Sequence, residues 1–288
     1  MTKGQLVTAG LSALAPRYDA MFCDIWGVVH NGVEPHPRAV SALRRFRDEG
    51  RHVVLITNAS RPSGPIVEML LGMGINNDIY DRVVSSGDVT RELVRKYAGK
   101  IVHHVGPRVD HPIFAGLGIA IGPPEDAAAV VVTGLDAEAQ ETPDDYAERI
   151  ADWLDRRLPL ICANPDITVE WGDQIVYCAG ALAKVYADKG GHVEMGGKPH
   201  PPIYELAFHE LETLAGRTID RKRILAIGDA VRTDALGAAR YGLDFLFITG
   251  SLHAEELNAH EGADEARVVN TVAPSRANLV GHMPRLVW

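Results

Sequence analysis

Asp24-Ile25-Trp26-Gly27-Val28-Val29-His30-Asn31-Gly32 follows the apolar run Ala20-Met21-Phe22-Cys23. The junction reads as a buried strand running into a glycine-containing loop, with Asp24 at the turn. The carboxyl ends of strands are where open α/β sheets place their chemistry. The loop has the character of one built around a phosphate, with one residue out of place. Two positions past Asp24, where a second carboxylate would serve, stands Trp26.

Outward from this loop, strand-like and helix-like segments alternate. Strands are predicted at 20–24, 52–57, 82–85, 101–105, 129–133, 160–163, 175–177, 224–228 and 245–249. Helical patterns occupy 38–49, 65–73, 89–97, 143–157, 181–189, 202–215 and 234–241. Strand, helix, strand in this rhythm predicts parallel βαβ units and an α/β fold. The segments richest in chemistry fall before residue 60 and after residue 195, and Gly- and Pro-rich loops occupy 116–126 and 190–202. The middle of the chain therefore reads as an insertion into one α/β domain, with two successive domains as the other arrangement.

Composition excludes several classes. The 288 residues suggest about two domains. With 46% hydrophobic and 23% charged residues the chain is of ordinary globular type. A net charge of −9 argues against nucleic-acid binding, which needs a basic surface. Cys23, Cys162 and Cys178 are widely spaced and form no zinc-ligand pattern. The opening residues Met1-Thr2-Lys3-Gly4-Gln5 lack the apolar core of a signal peptide, and no apolar run approaches the ~20 residues of a membrane span. A cytoplasmic location without a membrane partner is the expectation.

Four segments carry the candidate chemistry. The first is the Asp24 loop. The second is Val53-Val54-Leu55-Ile56-Thr57-Asn58, an apolar strand ending in a hydroxyl and an amide that can both bond phosphate oxygens. The third is Gly196-Gly197-Lys198-Pro199, a glycine turn presenting a lysine ahead of a helix; its spacing and following proline do not fit a P-loop. The fourth is Ile224-Leu225-Ala226-Ile227-Gly228-Asp229, with Asp234 five residues on. Taken singly, each residue is most simply a turn, cap or solvated loop residue. In a parallel sheet, however, all strand carboxyl ends share one edge, so Asp24, Thr57 and Asp229 would converge. Carboxylates from separate strands suit Mg²⁺, and a lysine, a hydroxyl and backbone N–H groups beside it would make a phosphoryl pocket.

The ordered set of these motifs, with Ala163-Asn164-Pro165-Asp166 and Ala179-Gly180-Ala181-Leu182, resembles the haloacid dehalogenase (HAD) superfamily over residues 20–250, and most closely its class IIA, NagD-like phosphatases. The resemblance implies a Rossmann-like core with a parallel sheet and an inserted α/β cap of C2 type, divided as 1–88, 89–183 and 184–288. It implies Asp24 as a nucleophile forming an aspartyl-phosphate, and Lys198 as the group stabilising its charge. Trp26, Gly27, Thr57, Asn58 and Lys198 would hold the phosphoryl group. Asp24, the Trp26 carbonyl, Asp229 and Asp234 would hold Mg²⁺. The expected partner is a small phosphorylated metabolite, sugar- or nucleotide-phosphate-like, and the resemblance leaves room for a homodimer paired through the cap.

In the family, the residue two past the nucleophile also supplies the general acid/base carboxylate. A backbone carbonyl survives any side chain, but an indole has no acid to offer near neutral pH. General acid/base catalysis contributes ~10²–10⁴-fold, or roughly 3–5 kcal/mol in the barrier. The expectation is a hydrolase that is slow or selective for good leaving groups. A HAD-fold binding or regulatory protein with little turnover, and a phosphotransferase, are the other readings. His30, in the same loop, is the candidate substitute acid/base. Trp153, Trp171 and Tyr177 are expected mainly to pack the core, with lining the cap side of the pocket as the other reading.

Overall fold

The computed structural model describes residues 9–137, 139–259 and 263–288, so the N-terminal reading at Met1–Gln5 lies outside the described residues. In chain order, the first elements are β1 (Ala20–Cys23), α1 (Pro37–Asp48), β2 (His52–Thr57), α2 (Ser63–Gly72), β3 (Arg82–Ser85) and α3 (Ser86–Arg95). Next come β4 (Ile101–Val105), β5 (Ala120–Ile121), β6 (Val130–Val132), α4 (Ala147–Asp155), β7 (Leu160–Cys162), β8 (Thr168–Trp171), β9 (Gln174–Tyr177), α5 (Ala179–Asp188) and β10 (Val193–Met195). The chain ends with α6 (Pro201–Ala215), β11 (Ile224–Gly228), α7 (Leu236–Tyr241), β12 (Asp244–Ile248), α8 (Glu265–Val272) and β13 (Asn278–Met283).

Six parallel strands form the larger sheet, in the order β13-β12-β11-β1-β2-β3. Alternate residues of β1 face opposite sides, as a strand's period of two requires. Met21 and Cys23 join Leu43 and Phe46 of α1 and Leu70 of α2 in one apolar layer. Ala20 and Phe22 join Ile203, Ala207 and Leu211 of α6 and Val268 of α8 in the other. Such two-sided cover is what an all-parallel sheet needs. The sheet grows outward from β1 through β2 to β3 on one side, and from β11 through β12 to β13 on the other. The strand order therefore reverses between β1 and β11, where open α/β sheets leave a crevice at their carboxyl edge.

A second parallel sheet has the order β10-β7-β6-β4-β5. Its own core joins Val130, Val132 and Leu160 to Ile150 and Trp153 of α4 and Leu182 and Tyr186 of α5. The α3 helix connects the sheets: Val89 lies in the α6 layer of the first, and Val94 packs with Val102, Val131 and Ile161 of the second. Ser85 caps α3, accepting the Asp88 N–H at 3.0 Å while Asp88 accepts the Ser85 N–H at 3.2 Å, so strand passes directly into helix.

The expected alternation of strands and helices is present, with differences in detail. Thr168–Trp171 and Gln174–Tyr177 form an antiparallel hairpin, not a parallel strand. Val193–Met195 still pairs with β7, so the second sheet extends past the expected return at residue 183. Strands β5, β8, β10 and β13 and helix α8 escaped the sequence pattern, the shortest of them because two or three residues carry no period. We propose that the inserted unit is this second sheet with its helices and the hairpin, ending near Met195. Among the described residues no helix is long and apolar enough to cross a membrane.

Trp153 is one of the largest fully buried side chains, with its ring centroid 6.4 Å from that of Tyr186. Trp153→Ala should cost about 3–5 kcal/mol, read as a lowered urea midpoint, because the cavity it leaves is lined by helix and strand side chains that cannot collapse into it.

Candidate active site

Asp24 stands just past the end of β1, its N–H donating to the Ile227 carbonyl at 2.9 Å and extending the ladder with β11. Because β1 lies between β2 and β11, Asp24 is flanked by Thr57, the last residue of β2, on one side and Asp229, just past β11, on the other. All three are buried and line one cavity of about 280 Å³.

Beneath them runs an ion-pair bridge. Lys198 Nζ lies 2.8 Å from Asp24 Oδ1 and 2.7 Å from Asp234 Oδ1, with its side chain only 2% exposed. Asp24 Oδ1 also accepts the Ile25 N–H at 2.7 Å, which fixes the rotation of the carboxylate. Asp234 sits in a π-helical turn, 231–235, ahead of α7, and its Oδ2 accepts the Ala230 N–H at 3.1 Å. A Cβ at Gly228 would stand 2.1 Å from Asp234 Cγ, so only glycine lets the aspartate fold back here. Lys198 is itself gripped by Asn58, which accepts the Lys198 N–H at 2.7 Å and donates to its carbonyl at 3.2 Å.

Charge is unevenly matched in this cluster. Burial, and then the charges of Asp234 and Asp229, push Asp24 well above the usual carboxylate range against the pull of Lys198. Burial and Asp234 raise Asp229 to about 7, opposed by Ser251 and Lys198. Burial disfavours the Lys198 ammonium, but Asp234, Asp24 and Asp166 outweigh it and hold the proton firmly. One carboxylate oxygen each from Asp24, Asp229 and Asp234 lie within 4.8 Å of one another. Three buried carboxylates facing one lysine leave negative charge that a hard divalent cation with oxygen ligands would offset, so the donor set fits such an ion.

The expected site residues divide on inspection. Asp24, Trp26, Thr57, Asn58 and Asp229 line the cavity, and Lys198 and Asp234 lie against Asp24. Three details correct the sequence reading. The Asn58 side-chain amide, although Asn58 lines the cavity, is spent on Lys198 and on Asp166, to which it donates at 3.0 Å, so it positions the lysine. The Gly27 N–H is likewise spent, donating to the His30 carbonyl at 2.8 Å. The requirement for glycine there is steric: φ is +78°, and a Cβ would stand 2.1 Å from Asp229 Oδ2.

His30 is the third correction. It is absent from the cavity wall and fully buried. Its Nδ1 accepts the Gly32 N–H at 2.8 Å, so the neutral ring carries its proton on Nε2, which has no partner among the described residues. Burial, with His36 and Arg61 adding to it, lowers its pKa to about 4, so it holds no acid proton to give near neutral pH. Its ring stands edge-on to Trp26 at 4.8 Å. That contact helps place the indole, whose Nε1 donates to the Glu170 carbonyl of β8 at 2.5 Å.

Sequence reasoning missed the wall that the inserted unit contributes. Asp110, Asp166 and Glu170 line the cavity, as do Trp171 and Tyr177, which take the lesser of their two expected roles. Their signal is faint: the alternation of a half-exposed hairpin over four residues a strand, and an aspartate in an irregular loop.

Comparison with known proteins agrees with this architecture. A family model described as haloacid dehalogenase-like hydrolase matches residues 21–120, and a second HAD-like hydrolase model matches 195–275. The crystal structure of a haloacid dehalogenase-like hydrolase from Brucella suis 1330 is 42% identical, covers 98% of this chain and 100% of its own, and superposes with a TM-score of 0.87. The chain belongs to the haloacid dehalogenase-like hydrolases. Within them it groups with the NagD-like phosphatases: the ribonucleotide monophosphatase NagD of Escherichia coli K12 is 26% identical over 236 residues, 79% of this chain and 86% of NagD. A glycerol phosphate phosphatase from Mycobacterium tuberculosis, solved in complex with magnesium, shares the fold at 24% identity, over 86% of this chain and 73% of its own, with a TM-score of 0.61. The parallel core sheet is the HAD core, Rossmann-like in topology.

His30 gives a pH prediction with a definite sign. Its folded pKa of about 4 lies below its unfolded 6.5, so its contribution to stability is whole above pH 6.5 and is lost as pH falls toward 4. The gap corresponds to about 3 kcal/mol. In urea melts, the stability difference between wild type and His30→Gln should shrink by up to that amount from pH 7 to pH 4.

Proposed function

We propose that this HAD-like phosphatase is an Mg²⁺-dependent hydrolase of small phosphomonoesters, acting through an aspartyl-phosphate on Asp24. The observation that carries the reading is the Lys198 bridge, which clamps one oxygen of a buried aspartate that lines the cavity. Asp24, Asp229 and the Trp26 carbonyl would hold the cation, with Asp234 alongside through Lys198. Bound there, Mg²⁺ supplies positive charge to the phosphoryl oxygens.

The rest of the work falls to the chain itself. Lys198 pulls Asp24 toward its ionised form, against burial, and places a fixed positive charge beside it. The Thr57 oxygen accepts the Ala59 N–H at 3.2 Å, which leaves its O–H to donate to a phosphoryl oxygen. Asp24 attacks phosphorus as the bond to the ester oxygen breaks, and water then releases phosphate from Asp24. Arg61, Trp171 and Tyr177 give the cavity a cationic and an aromatic wall, suited to a sugar- or nucleotide-phosphate-like metabolite. The indole of Trp26 cannot protonate the departing oxygen. Aryl and acyl phosphates leave without that help; alkyl phosphates need a proton from another group.

The test is phosphate release with Mg²⁺ from esters of graded leaving-group pKa. Wild type should turn over at least p-nitrophenyl phosphate, Asp24→Asn should lose 10³-fold or more, a scale typical for removal of a nucleophile, and EDTA should abolish the rate until Mg²⁺ is restored. Phosphate release that survives Asp24→Asn would overturn the reading.

A further inference from the structure

Trp26 leaves this site without a carboxylate at the usual place, and His30 is buried and absent from the cavity wall. A displacement at phosphorus runs roughly in line, so the leaving oxygen points away from Asp24. Asp24 lies on the core-sheet edge, which directs the ester oxygen toward the wall supplied by the inserted unit. Three carboxylates stand in that wall: Asp110, Asp166 and Glu170.

Two of them are already engaged. Asp166 accepts from Asn58 Nδ2 at 3.0 Å and belongs to the Lys198 cluster. Glu170 accepts from the Ser251 hydroxyl at 2.6 Å and faces Arg285 at 3.9 Å, while its backbone carbonyl holds the Trp26 indole. Asp110 is held by the Thr133 hydroxyl and has no close ion pair. Its nearest cation, Arg61 Nε, stands at 3.6 Å, beyond hydrogen-bond length, and the residue is 6% exposed.

We propose that Asp110 is the proton-transfer residue of this active site, taking the part that the side chain at position 26 cannot play. The inference rests on the Asp24 phosphoenzyme reading. In the first step, the Asp110 carboxyl gives its proton to the ester oxygen as the P–O bond breaks and the bond from Asp24 to phosphorus forms. The leaving group departs as a neutral alcohol and Asp110 is left ionised. In the second step, the Asp110 carboxylate takes a proton from water as its oxygen attacks phosphorus and the bond to Asp24 breaks. Phosphate is released and Asp110 is protonated again.

The surroundings suit a group that must cycle in this way. Burial raises the Asp110 pKa to about 6, opposed by the Thr133 hydroxyl and the Arg61 guanidinium. A pKa close to the working pH is the best compromise for giving and taking a proton. The other titratable groups about it are His104, bonded to Thr133 at 2.9 Å, and His111 on its own segment, ring centroid 5.0 Å from His104. Across the cavity lie Asp24, Asp166 and Asp229. The loop that carries Arg61 also fastens to the inserted unit, since the Ser60 hydroxyl donates to the Thr133 carbonyl. Asp110 and Thr133 are thereby tied to the residues that follow Thr57.

Asp110→Asn and Asp110→Glu should be compared with wild type, Mg²⁺ present, on p-nitrophenyl phosphate and on alkyl phosphates, after thermal melts establish that each variant is folded. Asp110→Asn should lose about 100-fold or more in kcat/KM on alkyl esters. On p-nitrophenyl phosphate it should release one equivalent of p-nitrophenol in a burst and then turn over slowly, because only the second step needs the missing base. Asp110→Glu should recover at least part of the alkyl-ester rate. An equal loss on every ester, without a burst, would make Asp110 a recognition or structural residue and overturn the proposal, as would no loss at all. Were Asp110→Asn unfolded, Asp110→Glu would carry the test, and a folded Asp110→Glu whose loss is equal on aryl and alkyl esters would overturn it too. A wild type inert toward p-nitrophenyl phosphate would instead sink the phosphoenzyme reading, and this proposal with it.

Discussion

The contact between Lys198 and two buried aspartates is the constraint around which the rest is arranged. An ammonium this deeply buried is tolerable only beside opposite charge and with its backbone held in place. Each supporting feature meets one part of that demand. Asp24 and Asp234 take the charge, Asn58 grips the Lys198 backbone from both sides, and Gly228 gives Asp234 room to fold back. The partners come from the ends of β1, β2 and β11 and from the segment after β10, so the bridge cannot form until both halves of the core sheet are assembled. Removing any one partner would strand a buried charge, which is costlier than losing an ordinary contact.

The Asp24 loop ties the β8–β9 hairpin to the core sheet. Trp26 gives up the chemistry of a carboxylate and gains a bond to the Glu170 backbone, while Glu170 in turn accepts from Ser251 and faces Arg285. The Gly172 N–H donates to the Asn31 carbonyl at 3.0 Å, joining the hairpin turn to the loop that follows Asp24. The β8–β9 hairpin therefore closes one side of the cavity through backbone groups that no side-chain substitution on the hairpin removes. A carboxylate at position 26 would have no N–H to offer Glu170, so the loss of the acid and the gain of the link are one change seen from two sides.

Much of this was legible in the sequence because parallel sheets are strict. Once 20–24, 52–57 and 224–228 read as buried strands, Asp24, Thr57 and Asp229 had to share an edge, and they do. What escaped has physical reasons. The His30 side chain turns inward because its Nδ1 finds the Gly32 N–H, a contact set by loop geometry and invisible to residue type. Asn58 has the chemistry of a phosphate ligand, but its amide matches a backbone N–H and C=O of Lys198, 140 positions away. Strand β10 is three residues long, too short for a period, and was separable from the core only by its pairing with β7. Asp110 carries no pattern at all; its meaning comes from the cavity it faces.

Proton transfer can move between elements more easily than metal binding or nucleophilic attack can. A nucleophile and its lysine must meet within a hydrogen-bond length, which only residues fixed to the sheet edge achieve. A proton donor needs only to reach the leaving oxygen, and that oxygen lies on the side of the phosphoryl group that faces the inserted unit. A carboxyl group held there by a neutral hydroxyl and one long ion pair is not locked in its ionised form as one in a close ion pair is. The division follows from mechanics: the core retains what must be rigid, and the wall that contacts the leaving group is free to supply what must be matched to it.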